Sequence, residues 1–305
     1  MFDGKRAQEM RILVAGATSV PGVPLLRELT ARGHDVVGLT RSASKTPQIA
    51  ATGAKPVVAD VFDQTQIDAV LADIAPEAVI SLLTTLPAWG PKRVKDFEPA
   101  TKLWSIGAPN LVAAAQRAGV RRVVAESVIF AYGYAPTGPA LIDETDPYPG
   151  PPPPKGAGFL AALREMERTV LAADGIVLRY GVFYGPGVTH DELFVKLAKW
   201  WAVPAMTGTG ILSWVHIDDV ARATADAVEN GRNGQIYNIV DDRPRSFGDY
   251  IRELNAKLHR PRPWPISPKL VGLVASYPAT AFGKTWLPLS NTKARAELGW
   301  TPMHR

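Results

Sequence analysis

"RILVAGATSVPGVPLLRELTARGHDVVGLTR", residues 11–41, decides the architecture. It opens on an apolar run, "RILVAGA", that ends in a glycine turn, as a strand buried in a parallel sheet does. Leu25, Leu26 and Leu29 then fall on one helical face, and Gly33 stops the helix. "DVVGLTR" (35–41) is a second apolar strand. Strand, tight turn, helix and strand together spell one βαβ unit.

The alternation continues outward. "KPVVADV" (55–61), "AVISLLTT", "RRVVAESVI", "GIVLRYGVF" and "QIYNIVDD" have strand character. Between them lie "QIDAVLADI", "NLVAAAQRAG" and "FLAALREMERTVLAAD", with helical spacing of their apolar residues. The pattern predicts an α/β fold, a doubly wound parallel sheet. A segment dense in Pro and Gly follows Gly133 and reads as a long loop, extended at Pro151–Pro154. Past about residue 188 the text is more irregular, and the tail over 244–305 is rich in Pro and Trp.

Composition narrows the classes. With 46% hydrophobic and 21% charged residues the 305-residue chain is an ordinary globular one. The absence of cysteine excludes disulfides, thiolate catalysis and Cys-based zinc sites. The five histidines show no metal-ligand spacing, so no metal is expected. A net charge of +5, spread as pairs such as Arg121-Arg122, gives little support to nucleic-acid binding. No apolar stretch nears the ~18 residues a membrane span needs. "MFDGKRAQEM" is too polar for a signal sequence and reads as a frayed leader, so the expectation is a cytoplasmic protein without membrane contact.

The turn "GATSVPG" resembles the glycine-rich dinucleotide signature of the short-chain dehydrogenase/reductase superfamily. Gly16 makes the tight turn, Gly22 lets the helix approach the sheet, and Thr18, Ser19 and Val20 lie between them. Ser19 stands where the signature has its middle glycine, and a serine hydroxyl can itself meet a phosphate. The second strand ends in Thr40, Arg41 and Ser42, where a dinucleotide preferring NAD usually meets an acidic residue. An arginine there suits a 2′-phosphate, so NADP is the expected cofactor. The resemblance further assigns Asp60-Val61 to the adenine edge and Leu82, Leu83 and Thr84 to the stretch after strand four. The two leucines are bulkier than the family's usual small residues and stand to crowd the cofactor.

The likeness runs over nearly the whole chain. "GATSVPG", "VVADVFD", "NLVAAAQRAGVRRVV", "IFAYG", "IDETDP", "LRYGVFYGPG", "SWVHIDDVARA", "YNIVDD" and "AELGW" follow in the order of extended members, the NAD(P)-dependent epimerase/dehydratase type. This implies a Rossmann-like dinucleotide-binding domain over 1–187, with elements of 211–240 returning to it, and a smaller substrate-binding region over 188–305. It also implies a small-molecule substrate, and a homodimer through "KLWSIGAPNLVAAAQRAG" and "FLAALREMERTVLAAD". The family's catalytic tyrosine, lysine and serine fall, by alignment on Glu167 and Gly133, at Phe159, Leu163 and Val128. A phenylalanine cannot exchange a proton with a carbonyl oxygen, and a leucine cannot bond ribose hydroxyls.

Three residues are candidates for the missing acid: Tyr180 on the loop expected beside the nicotinamide, Ser127 next to Val128, and His190 after the "YGPG" turn. Each has a packing or solvated-helix alternative, as do Tyr132, Tyr184 and His216. Three readings stay open. One is an NADPH-dependent reductase of a small hydrophobic carbonyl or conjugated compound with a non-standard proton donor. The others are a non-redox cyclase, isomerase or dehydratase, and a non-catalytic NADP(H) sensor.

Overall fold

The computed structural model describes residues 9–304 apart from 88–89, 135–139, 147–156, 201–202 and 209. The extended segment expected at Pro151–Pro154 lies outside the described residues.

Seven strands form one parallel sheet: β1 (Arg11–Ala15), β2 (Asp35–Thr40), β3 (Lys55–Val58), β4 (Ala78–Ser81), β5 (Arg122–Val128), β6 (Ile176–Tyr180) and, later in the chain, the strand Ile236–Ile239. The order across the sheet runs Ile236–Ile239, β6, β5, β4, β1, β2, β3. The α/β, Rossmann-like expectation is met, and the late strand "QIYNIVDD" does close one edge. Ile12, Leu13, Val14 and Ala15 of β1 are wholly buried, because helices cover both of its faces.

Helix Gly22–Ala31 buries Leu25, Leu26 and Leu29 on one face of the sheet, in company with helix Ile217–Asn230 and the C-terminal Leu298 and Trp300. On the other face lie helices Gln64–Ile74, Ala108–Arg117 and Ala157–Ala172. The last presents Leu160, Leu163, Met166 and Val170, each at most 1% exposed, at spacings that form one helical stripe. Helix Gln64–Ile74 starts where Asp63 accepts a hydrogen bond from the Gln66 amide at 3.1 Å.

The strand order reverses between β1 and β4, from each of which the chain leads away to a different side of the sheet. At such a switch point the strand C-termini open a crevice. Three short parallel pairs extend the molecule beyond that crevice: Val182–Tyr184 with Trp214–His216, Ala205–Met206 with Pro265–Ile266, and Ile211–Leu212 with Trp286–Leu287.

Candidate functional site

The crevice is built first by Gly16. Its φ of +80° is left-handed, and a Cβ placed there would lie 2.2 Å from the Leu82 carbonyl oxygen. Only glycine lets the ends of β1 and β4 approach this closely. The turn is closed by the Ser19 amide donating to the Gly16 carbonyl at 2.9 Å. The Gly22 amide donates both to the Ser19 carbonyl at 3.1 Å and to Ser19 Oγ at 3.2 Å. Ser19 therefore tethers the helix start, and its hydroxyl proton remains available to an anion. Thr18 is half-buried, Val20 is exposed, and the helix carries no acid in its first turn, which keeps its N-terminus open to phosphate.

At the end of β2, Arg41 is exposed and points away from the core that buries Thr40. The Ser42 amide donates to Thr40 Oγ1 at 3.2 Å, and Ser42 Oγ lies 2.9 Å from Ser44 Oγ. A hydroxyl-rich turn with a projecting guanidinium is a fitting receiver for a phosphate monoester. Asp60 accepts from the Phe62 amide at 3.0 Å, while Val61 packs in the core. Leu82 and Leu83 are 1% and 9% exposed and belong to the two opposite cores. Their bulk goes into packing within those cores. Thr84 follows, half-buried at the mouth.

The three apolar positions are filled firmly. The Phe159 ring stacks on Phe97 with centroids 4.2 Å apart, and Tyr277 and Tyr134 surround the pair. Tyr134 donates a hydrogen bond to the Tyr277 hydroxyl at 2.9 Å. Leu163 has no exposed surface, and Val128 is half-buried.

The proposed substitutes meet other fates. Tyr180 is wholly buried, with its hydroxyl 2.7 Å from Thr224 Oγ1 on the far side of the sheet from Phe159. Burial also drives its acidity far down, so as a proton donor to substrate it is corrected to a packing residue. Ser127 donates to Glu167 Oε1 at 2.5 Å, and Glu167 also takes two bonds from Arg179, at 2.9 and 2.7 Å. All three are at most 2% exposed. The Arg179 guanidinium lies 4.5 Å from the centre of the Tyr132 ring, whose hydroxyl donates to Asn238 Oδ1 at 3.1 Å. Ser127 is thus committed to a buried ion-pair network that underpins the site. His190 Nε2–H donates to the Phe183 carbonyl at 3.0 Å, and burial lowers its pKa, which keeps the ring neutral. Its role here is to pin a helix start.

Two arrangements escaped the linear pattern. Glu126, one residue before Ser127, is 6% exposed among apolar neighbours, and its Oε2 has no partner among the described residues. Burial pushes its pKa up to about 7, against a hydrogen bond from Thr84. The only signal in the sequence is an acid set in the strand "VVAESV". Secondly, the fold gathers His216, Asp218 and His304, which spacing alone keeps apart. The two imidazoles stack with centroids 3.9 Å apart, His216 Nδ1 accepts from the Asp218 amide, and His304 Nδ1 lies 3.2 Å from Asp219. Lone pairs of stacked rings run parallel and do not converge on one ion.

A family model described as "NAD dependent epimerase/dehydratase family" matches residues 12–240. The chain is 37% identical over 306 residues to a 3-diazoavenalumate denitrifying reductase of a Streptomyces species, covering 97% of each chain. It is 26% identical over 264 residues to a 2'-dehydrokanamycin reductase of Streptomyces kanamyceticus, covering 83% of this chain and 68% of that one. Among solved structures, the NAD complex of Thermus thermophilus UDP-glucose 4-epimerase superposes with a TM-score of 0.77 at 21% identity, covering 97% and 95% of the two chains.

Proposed function

The chain belongs to the NAD-dependent epimerase/dehydratase family, and from that premise we propose that it is an NADPH-dependent reductase whose substrate needs no tyrosine acid. The observation that carries this reading is the contrast within one crevice. The turn at Gly16, Ser19 and Gly22 ends in a helix start with no acid in its first turn, suited to a phosphate, while Val128, Phe159 and Leu163 offer no proton and no ribose contact.

The residues present fit a nicotinamide dinucleotide. Gly16, Thr18, Ser19, Val20 and Gly22 would take the pyrophosphate, and Asp60 and Val61 the adenine. Thr40, Arg41 and Ser42 would take the 2′-phosphate, and Leu82, Leu83 and Thr84 would flank the nicotinamide half. Arg41 is the ground for NADPH over NADH, since a free guanidinium recognises a phosphate through charge-assisted bonds. Bound there, the cofactor supplies a hydride.

An apolar floor of Val128 and Phe159 excludes water and suits a small, flat, conjugated substrate. The acceptor must itself be electron-poor. The name of the Streptomyces relative points to a diazo function, and this class meets the requirement. Hydride added to an arenediazonium yields the arene and N2, with no proton drawn from the protein. Activated enones and quinones form the neighbouring class. We assign residues 1–187, with elements of 211–240, to cofactor binding and 188–305 to substrate. The protein is read as a cytoplasmic enzyme acting on a small molecule, with no nucleic-acid partner. Helices Ala108–Arg117 and Ala157–Ala172 form an outer groove that would seat a second copy of the chain.

Fluorescence titration with NADPH and NADH tests the reading, followed by NADPH oxidation with arenediazonium, quinone and enone substrates. Arg41→Ala should weaken NADPH about tenfold or more, as loss of a charge-assisted contact implies, and leave NADH alone. No binding of either nucleotide, or no oxidation across the three classes, overturns it.

A further inference from the structure

The C-terminal region turns one apolar helix outward. Helix Pro268–Val274 carries Leu270, Leu273 and Val274 at 58%, 80% and 74% exposure. Their spacing of three and four puts them in one stripe. The opposite side packs inward, where a Cβ on Gly272 would lie 3.5 Å from the Ala279 Cβ of the next helix. Trp264, four residues before the helix, is exposed as well. A helix of a globular protein normally buries such a stripe, and apolar side chains grouped on the surface mark a contact with something outside the fold.

The charge around the stripe indicates the partner. Residues 254–296 hold seven lysines and arginines and no aspartate or glutamate. Lys269 lies within the helix, and Lys284 follows Gly283, where a Cβ would meet the Pro268 Cβ at the helix start at 2.8 Å. Arg260 and Arg262 precede Trp264. All four cations are exposed, and none is held in an ion pair among the described residues. A second copy of the chain docking through the same face would bring like charges together. A nucleic-acid duplex would satisfy the cations but leave the leucines against phosphates. Apolar side chains flanked by cations match an anionic lipid surface, whose headgroups take the charge and whose acyl boundary takes the stripe.

We propose that helix Pro268–Val274 and the cations beside it form a peripheral docking face for an anionic membrane surface. Crossing a bilayer and lying on it are different demands. Among the described residues no helix is long and apolar enough to cross, and a short exposed helix meets only the second demand. The next helix, Ser276–Ala281, runs back inward: Tyr277 is buried, packs edge-on to Phe97 and accepts from the Tyr134 hydroxyl. Docking thus holds the ring cluster at Phe159 one short helix away from the lipid. The face stands whether or not the protein is a reductase.

The test compares wild type, Leu270→Ser/Leu273→Ser and Lys269→Gln/Lys284→Gln as full-length protein. Each is floated with vesicles of phosphatidylcholine alone, or of phosphatidylcholine and phosphatidylglycerol in equal parts. Wild type should bind the anionic vesicles about tenfold or more tightly than the neutral ones, and added salt should erase the difference. Each double variant should lose about tenfold or more of that binding, as the loss of two cations or of two lipid-facing leucines implies. Melting temperatures should stay with wild type, because all four side chains are exposed. Absence of binding to the anionic vesicles, or undiminished binding by both double variants, overturns the proposal. So does a concentration-dependent dimer in sedimentation velocity that the leucine variant abolishes, which makes the face a protein interface. Salt-sensitive binding of a DNA duplex that only the lysine variant loses overturns it in favour of nucleic acid.

Discussion

Replacing Arg179 by methionine is the sharpest probe of what supports the site. The Arg179 and Glu167 side chains are 3% and 1% exposed, so the pair is closed off from water. Among its bonds, Glu167 accepts one from Ser127 and two from Arg179. Methionine retains most of the apolar volume and removes both of the arginine's bonds. The carboxylate then loses its charged partner in a dry environment, and breaking a buried pair in this way costs about 3–5 kcal/mol. At about 2 °C per kcal/mol for a chain of this size, the melting temperature should fall by ~10 °C at most. Arg179→Met/Glu167→Leu removes the unpaired buried charge and should be more stable than Arg179→Met alone. Urea unfolding followed by tryptophan fluorescence at neutral pH gives the three free energies. A loss under about 1 kcal/mol in Arg179→Met, or a double variant at least as unstable as that single, would refute the argument.

Two further outcomes follow from single positions. Gly16→Ala should abolish NADPH binding and lower the melting temperature, because its Cβ meets the Leu82 carbonyl at 2.2 Å on a φ of +80°; retained binding in a titration would count against the crevice. Asp241 is buried, accepts from the Tyr184 hydroxyl at 2.9 Å, and is pushed by burial up to about 7 from 3.8. The folded protein keeps a proton that the unfolded chain releases, so stability should fall as pH rises between about 4 and 7. Asp241→Asn should flatten that slope in urea midpoints taken across the window, and a slope parallel to wild type would exclude Asp241 as its source.

Much of the fold was legible because β1, β2 and β4–β6 are buried parallel strands that read as short apolar runs between amphipathic helices. The glycine turn was legible for the same local reason, since Gly16 and Gly22 act within their own loop. What stayed hidden is tertiary. Tyr180 looked like a loop residue beside the nicotinamide, but it ends β6 and its partner Thr224 comes from a helix 44 positions on. Glu126 and Thr84 are brought together only by the pairing of β4 and β5. His216 and His304 meet because the C-terminus returns to helix Ile217–Asn230, which no spacing rule sees.

The stacked Phe97–Phe159 pair and the sealed Leu163 also bear on what these positions can accept. A lysine written back at 163 would bury an ammonium beside Leu160 and Met166, with the nearby Glu167 already spent on Arg179 and Ser127. A tyrosine written back at 159 would have to displace or pierce the ring of Phe97 and its neighbours. Two substitutions alone would therefore not build an acid and base here. The aromatic filling thus acts as a lock: a tyrosine or a lysine enters these two positions only if the neighbouring side chains change with it.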